Sequence, residues 1–93
     1  MTYKSILQVI LAYSQRTKTT IDITIFFSDR DIDANIVKVD SNFVYLKREA
    51  HIYDDCYLIS ISSINGIRIK NQGSYQDLIS EIENMIGGLT AFT

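Results

Sequence analysis

The hydrophobic period of this chain changes at residue 21, and that change constrains the fold more than any other feature. Ile21, Ile23, Ile25 and Phe27 alternate with Asp22, Thr24, Phe26 and Ser28, the pattern of a strand with one face inward. A polar turn, Ser28-Asp29-Arg30-Asp31, leads to a second strand over Ile32 to Val39, and Asp40-Ser41-Asn42 turns the chain again. Phe43-Val44-Tyr45-Leu46 is apolar at every position, so the third strand is expected to be covered on both faces, with an N-terminal helix as the second cover. After a polar stretch from Arg48 to Asp55, residues 57–63 and 64–70 give two more strands. The step Ile64-Asn65-Gly66 joins them by a bend too sharp for a free hairpin, with Gly66 supplying a permissive backbone. Five short strands in quick succession imply a small, strongly bent barrel over about residues 20–70.

Helical periodicity flanks this β region. Tyr3, Ile6, Leu7 and Ile10 recur at helical spacing, predicting a helix over about residues 3–15 that the polar, β-branched run Thr17 to Thr20 ends. Asn71-Gln72-Gly73 reads as a hinge. Ser74, with Asp77 three residues on, opens a second helix over about residues 74–87. Its stripe is Tyr75, Leu78, Ile79, Ile82 and Ile86, and Gly87-Gly88 stops it. Burying a large apolar side chain contributes roughly 1.5–3 kcal/mol, so this stripe is expected to dock on its own barrel or on a neighbouring subunit.

The 93 residues are expected to make one domain, mainly β with flanking helices, whose modest core a shared interface would enlarge. A net charge of −2 argues against coating nucleic acid through bulk electrostatics but leaves room for a local site. Cys56 is the only cysteine, which excludes an intramolecular disulfide and gives no metal framework; it is expected to be a small buried apolar residue in a reducing compartment. Residues 4–13 loosely imitate a leader, but Gln8 interrupts the apolar run and Arg16 and Lys18 close it without a small-x-small site. No stretch approaches the roughly 18 apolar residues of a membrane span, and a cytoplasmic protein is expected.

The segments Ile21 to Leu46, Val39-Asp40-Ser41-Asn42-Phe43-Val44-Tyr45-Leu46-Lys47 and Ile61 to Gly66 resemble the two motifs of the Sm/LSm superfamily, including the Hfq group of RNA chaperones. The resemblance implies an Sm-like, SH3-like barrel. It also implies a cyclic homo-oligomer of roughly five to seven subunits, closed by pairing strand four of one copy with strand five of the next. Several positions depart from the pattern. The glycines that bend the second strand are absent, with Asp31 and Ala34-Asn35 in that region. Val44 replaces the motif asparagine, Asn65 replaces the arginine of Ile-Arg-Gly, and Leu58-Ile59 stands where the Hfq group has a Lys-His pair.

The candidate RNA-binding residues are Asp40, Asn42, Phe43, Asn65, Gly66 and Arg68. Asp40 would orient its loop by accepting backbone N–H bonds, and the Asn42 amide, with both donor and acceptor, suits a uracil edge. Each also reads as an ordinary turn residue, Asn42 as one tolerating a positive φ. Phe43 or Tyr45 could stack a base, although packing in the core is favoured for both. Asn65 and Gly66 would complete the pocket or form a plain turn, and Arg68 would stack on a base, meet a phosphate or stay a solvated strand cation. Lys38, Lys47 and Arg48 form a local basic cluster, which usually marks a solvated face. His51, among Glu49, Asp54 and Asp55, matches no metal pattern, and no metal or cofactor is expected.

Two functions compete. One is a ring that binds short single-stranded, U- or A-rich RNA. The other is a ring-shaped structural or adaptor module whose helices bind a protein partner. No membrane partner is expected. Nothing in the sequence resembles paired carboxylates in a cleft, a nucleophile–base pair or a phosphate-cradling loop, so the chain is not expected to be an enzyme.

Overall fold

The computed structural model describes residues 2–48 and 55–86. The elements are helix α1 (Tyr3–Thr17), strands β1 (Ile23–Phe26), β2 (Asp31–Val39), β3 (Phe43–Arg48), β4 (Asp55–Ser60) and β5 (Gly66–Ile69), and helix α2 (Gln76–Met85). Single 3-10 turns at Ile61–Ser63 and Gln72–Ser74 link the last three. The strands form one open antiparallel sheet in the order β4-β3-β2-β1-β5, so β4 and β5, adjacent in sequence, lie at opposite edges. The bend at Ile64-Asn65 thus carries the chain from one edge to the other.

β2 serves both halves of the sheet. Its first residues pair with β1 (Ile32 opposite Ile25, Ala34 opposite Ile23), and its later ones pair with β3 (Ile36 opposite Leu46, Val39 opposite Val44). Between Ile36 and Lys38 the register slips by one residue, leaving Val37 as the extra residue of a β-bulge. A bulge bends a strand and sharpens its twist, which glycines would otherwise permit. None is needed here.

The core gathers the inward residues of both halves: Ile21, Ile23, Ile25, Ile32, Ala34, Val44, Leu46, Ile59 and Ile64, closed by Leu7 and Ile10 of α1 and Leu78 of α2. α1 begins with the Thr2 hydroxyl accepting the Ser5 N–H at 3.3 Å. It runs two residues past the expected end at residue 15, to Thr17, and stops where Lys18 adopts a left-handed conformation (φ 53°). There Thr19 N–H returns to the Ser14 carbonyl at 3.0 Å.

α2 differs from expectation at its start. Asn71 is left-handed (φ 54°), and Ser74 belongs to a 3-10 turn closed by its N–H on the Asn71 carbonyl at 3.0 Å. The helix therefore begins at Gln76 after Tyr75, with no side-chain cap, and no capping box between Ser74 and Asp77 forms. Its stripe docks within the chain: Tyr75, Leu78 and Ile82 pack against the core, and the Tyr13 and Tyr75 rings meet edge to face at 6.4 Å. Arg16 pairs with Glu81 at 3.4 Å across the two helices. Gly87-Gly88 and His51 lie outside the described residues.

The third strand is not covered on both faces. Val44 and Leu46 are fully buried, but Phe43 and Tyr45 are 43% and 45% exposed on the other side. α1 packs over β2 and leaves the outer face of β3 open. Cys56, expected to be buried, is likewise exposed, because it faces outward opposite Lys47. Among the described residues, no helix is long and apolar enough to cross a membrane.

Candidate nucleic-acid interface

The Asp40 loop is a tight hairpin between β2 and β3. Asp40 N–H donates to the Phe43 carbonyl at 2.8 Å, and the Asp40 carboxylate accepts the Ser41 N–H at 2.7 Å. This is the turn chemistry that a short acidic side chain provides locally. Asn42, at the tip, does not have a positive φ, so its backbone gives no reason for an asparagine. Its exposed amide makes no hydrogen bond among the described residues, whereas its carbonyl accepts the Ile61 N–H at 2.9 Å.

That bond connects the hairpin to the bend before β5. Ile61–Ser63 forms a 3-10 turn, closed by Ile64 N–H on the Ile61 carbonyl at 3.2 Å and anchored by the buried Ile64 side chain. The backbone of Asn65 is then held from two sides. Its N–H donates to the Phe26 carbonyl at 2.8 Å, and its carbonyl accepts the Tyr3 hydroxyl at 2.6 Å. Asn42 and Asn65 thus sit at the two ends of one bonded segment, each exposed. Among the described residues neither side-chain amide has a hydrogen-bond partner.

Gly66 plays a different part from the one expected. Its φ is outside the positive region, and a Cβ there would rest at 3.5 Å from the Phe26 ring, an ordinary contact. It is a strand residue opposite Phe26 in the β1–β5 ladder. Arg68, two positions on, faces outward and is already engaged. Its guanidinium lies 5.7 Å from the Phe26 ring centroid and donates to the Thr24 hydroxyl oxygen at 3.3 Å. Arg68 therefore belongs to the outer face of the β1–β5 pair rather than to the loops.

Around Thr24 the sheet carries a polar network that the sequence pattern did not reveal. Thr24 is fully buried although it lies on the outward side of β1. Its hydroxyl donates to the Asp33 carboxylate at 2.6 Å, and Lys70 pairs with the other Asp33 oxygen at 3.1 Å. The Thr24 hydrogen bond holds the Asp33 carboxyl below its ordinary value of 3.8, helped by the Lys70 bond and more weakly by the charges of Lys70 and Arg68, against the opposing effect of burial. Beside it, the Asn35 amide donates to Asp22 at 2.6 Å and to the Ile21 carbonyl at 3.0 Å. Nothing within one strand signals this network, since its members come from β1, β2 and β5.

The described residues hold no cluster of three or more His, Cys, Asp or Glu side chains arranged for a metal ion. Comparisons of the chain with protein families, with characterised proteins and with solved structures found no match.

Proposed function

We propose that this chain is the subunit of an Sm-like homo-oligomeric ring that binds short single-stranded, U- or A-rich RNA. The observation that carries the reading is the pair of open edges. β4 and β5 lie at opposite ends of a sheet in the order β4-β3-β2-β1-β5, each with one side unpaired among the described residues. Unpaired edges invite pairing, and joining β4 of one copy to β5 of the next removes both at once. The main contacts of α2 are with α1 and the turn before it, and its Leu78 and Ile82 also pack against the core. An N-terminal helix, an open five-stranded antiparallel sheet and the hairpin at Asp40 are compatible with a bent Sm-like barrel.

In such a ring the Asn42 tip and the Asn65 bend repeat around the axis, and their unengaged amides offer donor and acceptor pairs to base edges. Asp40 shapes the loop rather than touching RNA. The adaptor reading is weaker, since it needs the α2 stripe, and Tyr75, Leu78 and Ile82 of that stripe are spent on the chain's own core. The test has two arms, particle mass by chromatography with light scattering and anisotropy of a fluorescent oligouridine. A ring mass together with binding that Asn42→Ala weakens is expected. A lone subunit, or no anisotropy change at tens of micromolar protein in low salt, overturns the proposal.

A further inference from the structure

The outward face of β3 and β4 is composed unlike the rest of the chain. Its residues are Phe43, Tyr45 and Lys47 on β3 and Cys56, Leu58 and Ser60 on β4, in register as Phe43–Ser60, Tyr45–Leu58 and Lys47–Cys56. Lys38 of β2 lies directly opposite Tyr45 and extends the face beyond the bulge. Asp40, opposite Phe43, is the one acidic residue beside Lys38 and Lys47 on this face, whereas the chain as a whole carries 11 acidic residues against 9 basic ones. The local sign is therefore reversed. The apolar members are open to solvent, with Leu58 54% exposed beside Tyr45 at 45%.

We infer that this face is a second contact surface for the same single strand, with bases stacking on Phe43 and Tyr45 and the Lys38 ammonium meeting phosphate. The inference rests on the RNA-binding reading and extends it away from the loops. Positive charge beside exposed aromatic rings complements a ligand that is anionic along its backbone and flat at its bases. Phe43 and Tyr45 lie two strand positions apart, roughly 7 Å, about twice the ~3.4 Å repeat of stacked nucleotides. Phe43 follows Asn42 directly, so a strand leaving the hairpin tip continues along β3 without a gap.

The experiment compares a labelled six-nucleotide oligouridine, short enough to occupy the loops alone, with an eighteen-nucleotide one. Tyr45→Leu keeps apolar bulk and removes the π face. It is expected to weaken the longer oligomer roughly fivefold to a hundredfold, the range for losing one stacked base. Binding of the short oligomer should change less than twofold, and Tyr45→Phe should match the parent. Lys38→Gln should lower the salt dependence of the longer oligomer by about 0.7 in log–log slope, one phosphate contact on a single strand. If Tyr45→Leu binds both oligomers like the parent while Asn42→Ala loses the short one, the loop reading stands and this inference falls. If the parent binds neither, both fall. If Tyr45→Leu changes particle mass but not affinity, the face is a contact between copies and the inference is overturned.

Discussion

A proline at position 58 tests ring closure through one amide. In the β3–β4 ladder Val44 faces Ile59 and Leu46 faces Tyr57, and the Ile61 N–H bond to the Asn42 carbonyl continues the same alternation. Antiparallel pairs are hydrogen-bonded at every second position, so Tyr57 and Ile59 spend their N–H groups on β3 while Leu58 points its own at the open edge. By the same rule, the Lys70 N–H bond to the Asp22 carbonyl leaves the backbone N–H groups of Ile67 and Ile69 pointing at the open edge of β5. Leu58→Pro therefore removes a donor that has no partner among the described residues, and an edge strand tolerates proline there. The isolated fold should lose about 1 kcal/mol or less. At an interface, by contrast, the neighbour's carbonyl is left unpaired, at about 1–3 kcal/mol per site. A closed ring repeats this at every contact, so a hexamer would lose about 6–18 kcal/mol in all. Light scattering on the parent, on Leu58→Ala (which keeps the N–H) and on Leu58→Pro at tens of micromolar reads the outcome, with circular dichroism to confirm the fold. Leu58→Ala should remain a ring and Leu58→Pro should fall to small species with an unchanged spectrum. Ile59→Pro is the contrasting control, expected to cost about 3 kcal/mol or more because it breaks the ladder and empties a core position. A Leu58→Pro ring of parental mass would refute the strand-pairing model.

Two further outcomes follow from the geometry of the subunit itself. Lys18→Gly relieves a left-handed residue at φ 53° and keeps the bond of its N–H to the Ser14 carbonyl. It should stabilise the fold by about 1 kcal/mol and raise Tm by about 4–8 °C, so a melt that does not rise contradicts the assigned strain. Asp33→Asn removes a carboxyl held below 3.8 by Thr24 and Lys70, and a depressed folded-state value contributes stability that is complete above 3.8 and is lost as pH falls through the lowered value. Because the Lys70 pair is exposed to solvent, the variant should lose less than about 1 kcal/mol near neutral pH. It should converge with the parent near pH 2 in urea midpoints, and an equal gap at both pH values would contradict the assignment.

The sequence revealed much of what is decided within a few residues. β1 and the stripe of α1 are periodic enough that Ile21, Ile23, Ile25, Leu7 and Ile10 are all core residues as expected. The Asp40 turn was legible because the bond from its carboxylate reaches only the next N–H. Where the pattern lost its period, sequence alone could not choose a face. Phe43-Val44-Tyr45-Leu46 alternates nothing, and only the long-range placement of α1 over β2 leaves Phe43 and Tyr45 outside. The bend of β2 was sought in glycines, yet it lies in a register slip at Val37, a residue that carries no such signal. Ser74 with Asp77 is an imperfect capping box that lost to the left-handed turn at Asn71. Thr24 is buried only because Asp33 and Arg68 arrive from two other strands. Apart from the local turn at Asn71, each of these misses is a non-local contact, and ring closure would be a contact of the same kind, lying outside the chain altogether. The chain can supply its preconditions, two sheet edges and loop amides that are unpaired among the described residues, but the pairing itself would exist only between molecules. The amide of Leu58 isolates it, because among the described residues that N–H points away from β3 and meets no partner.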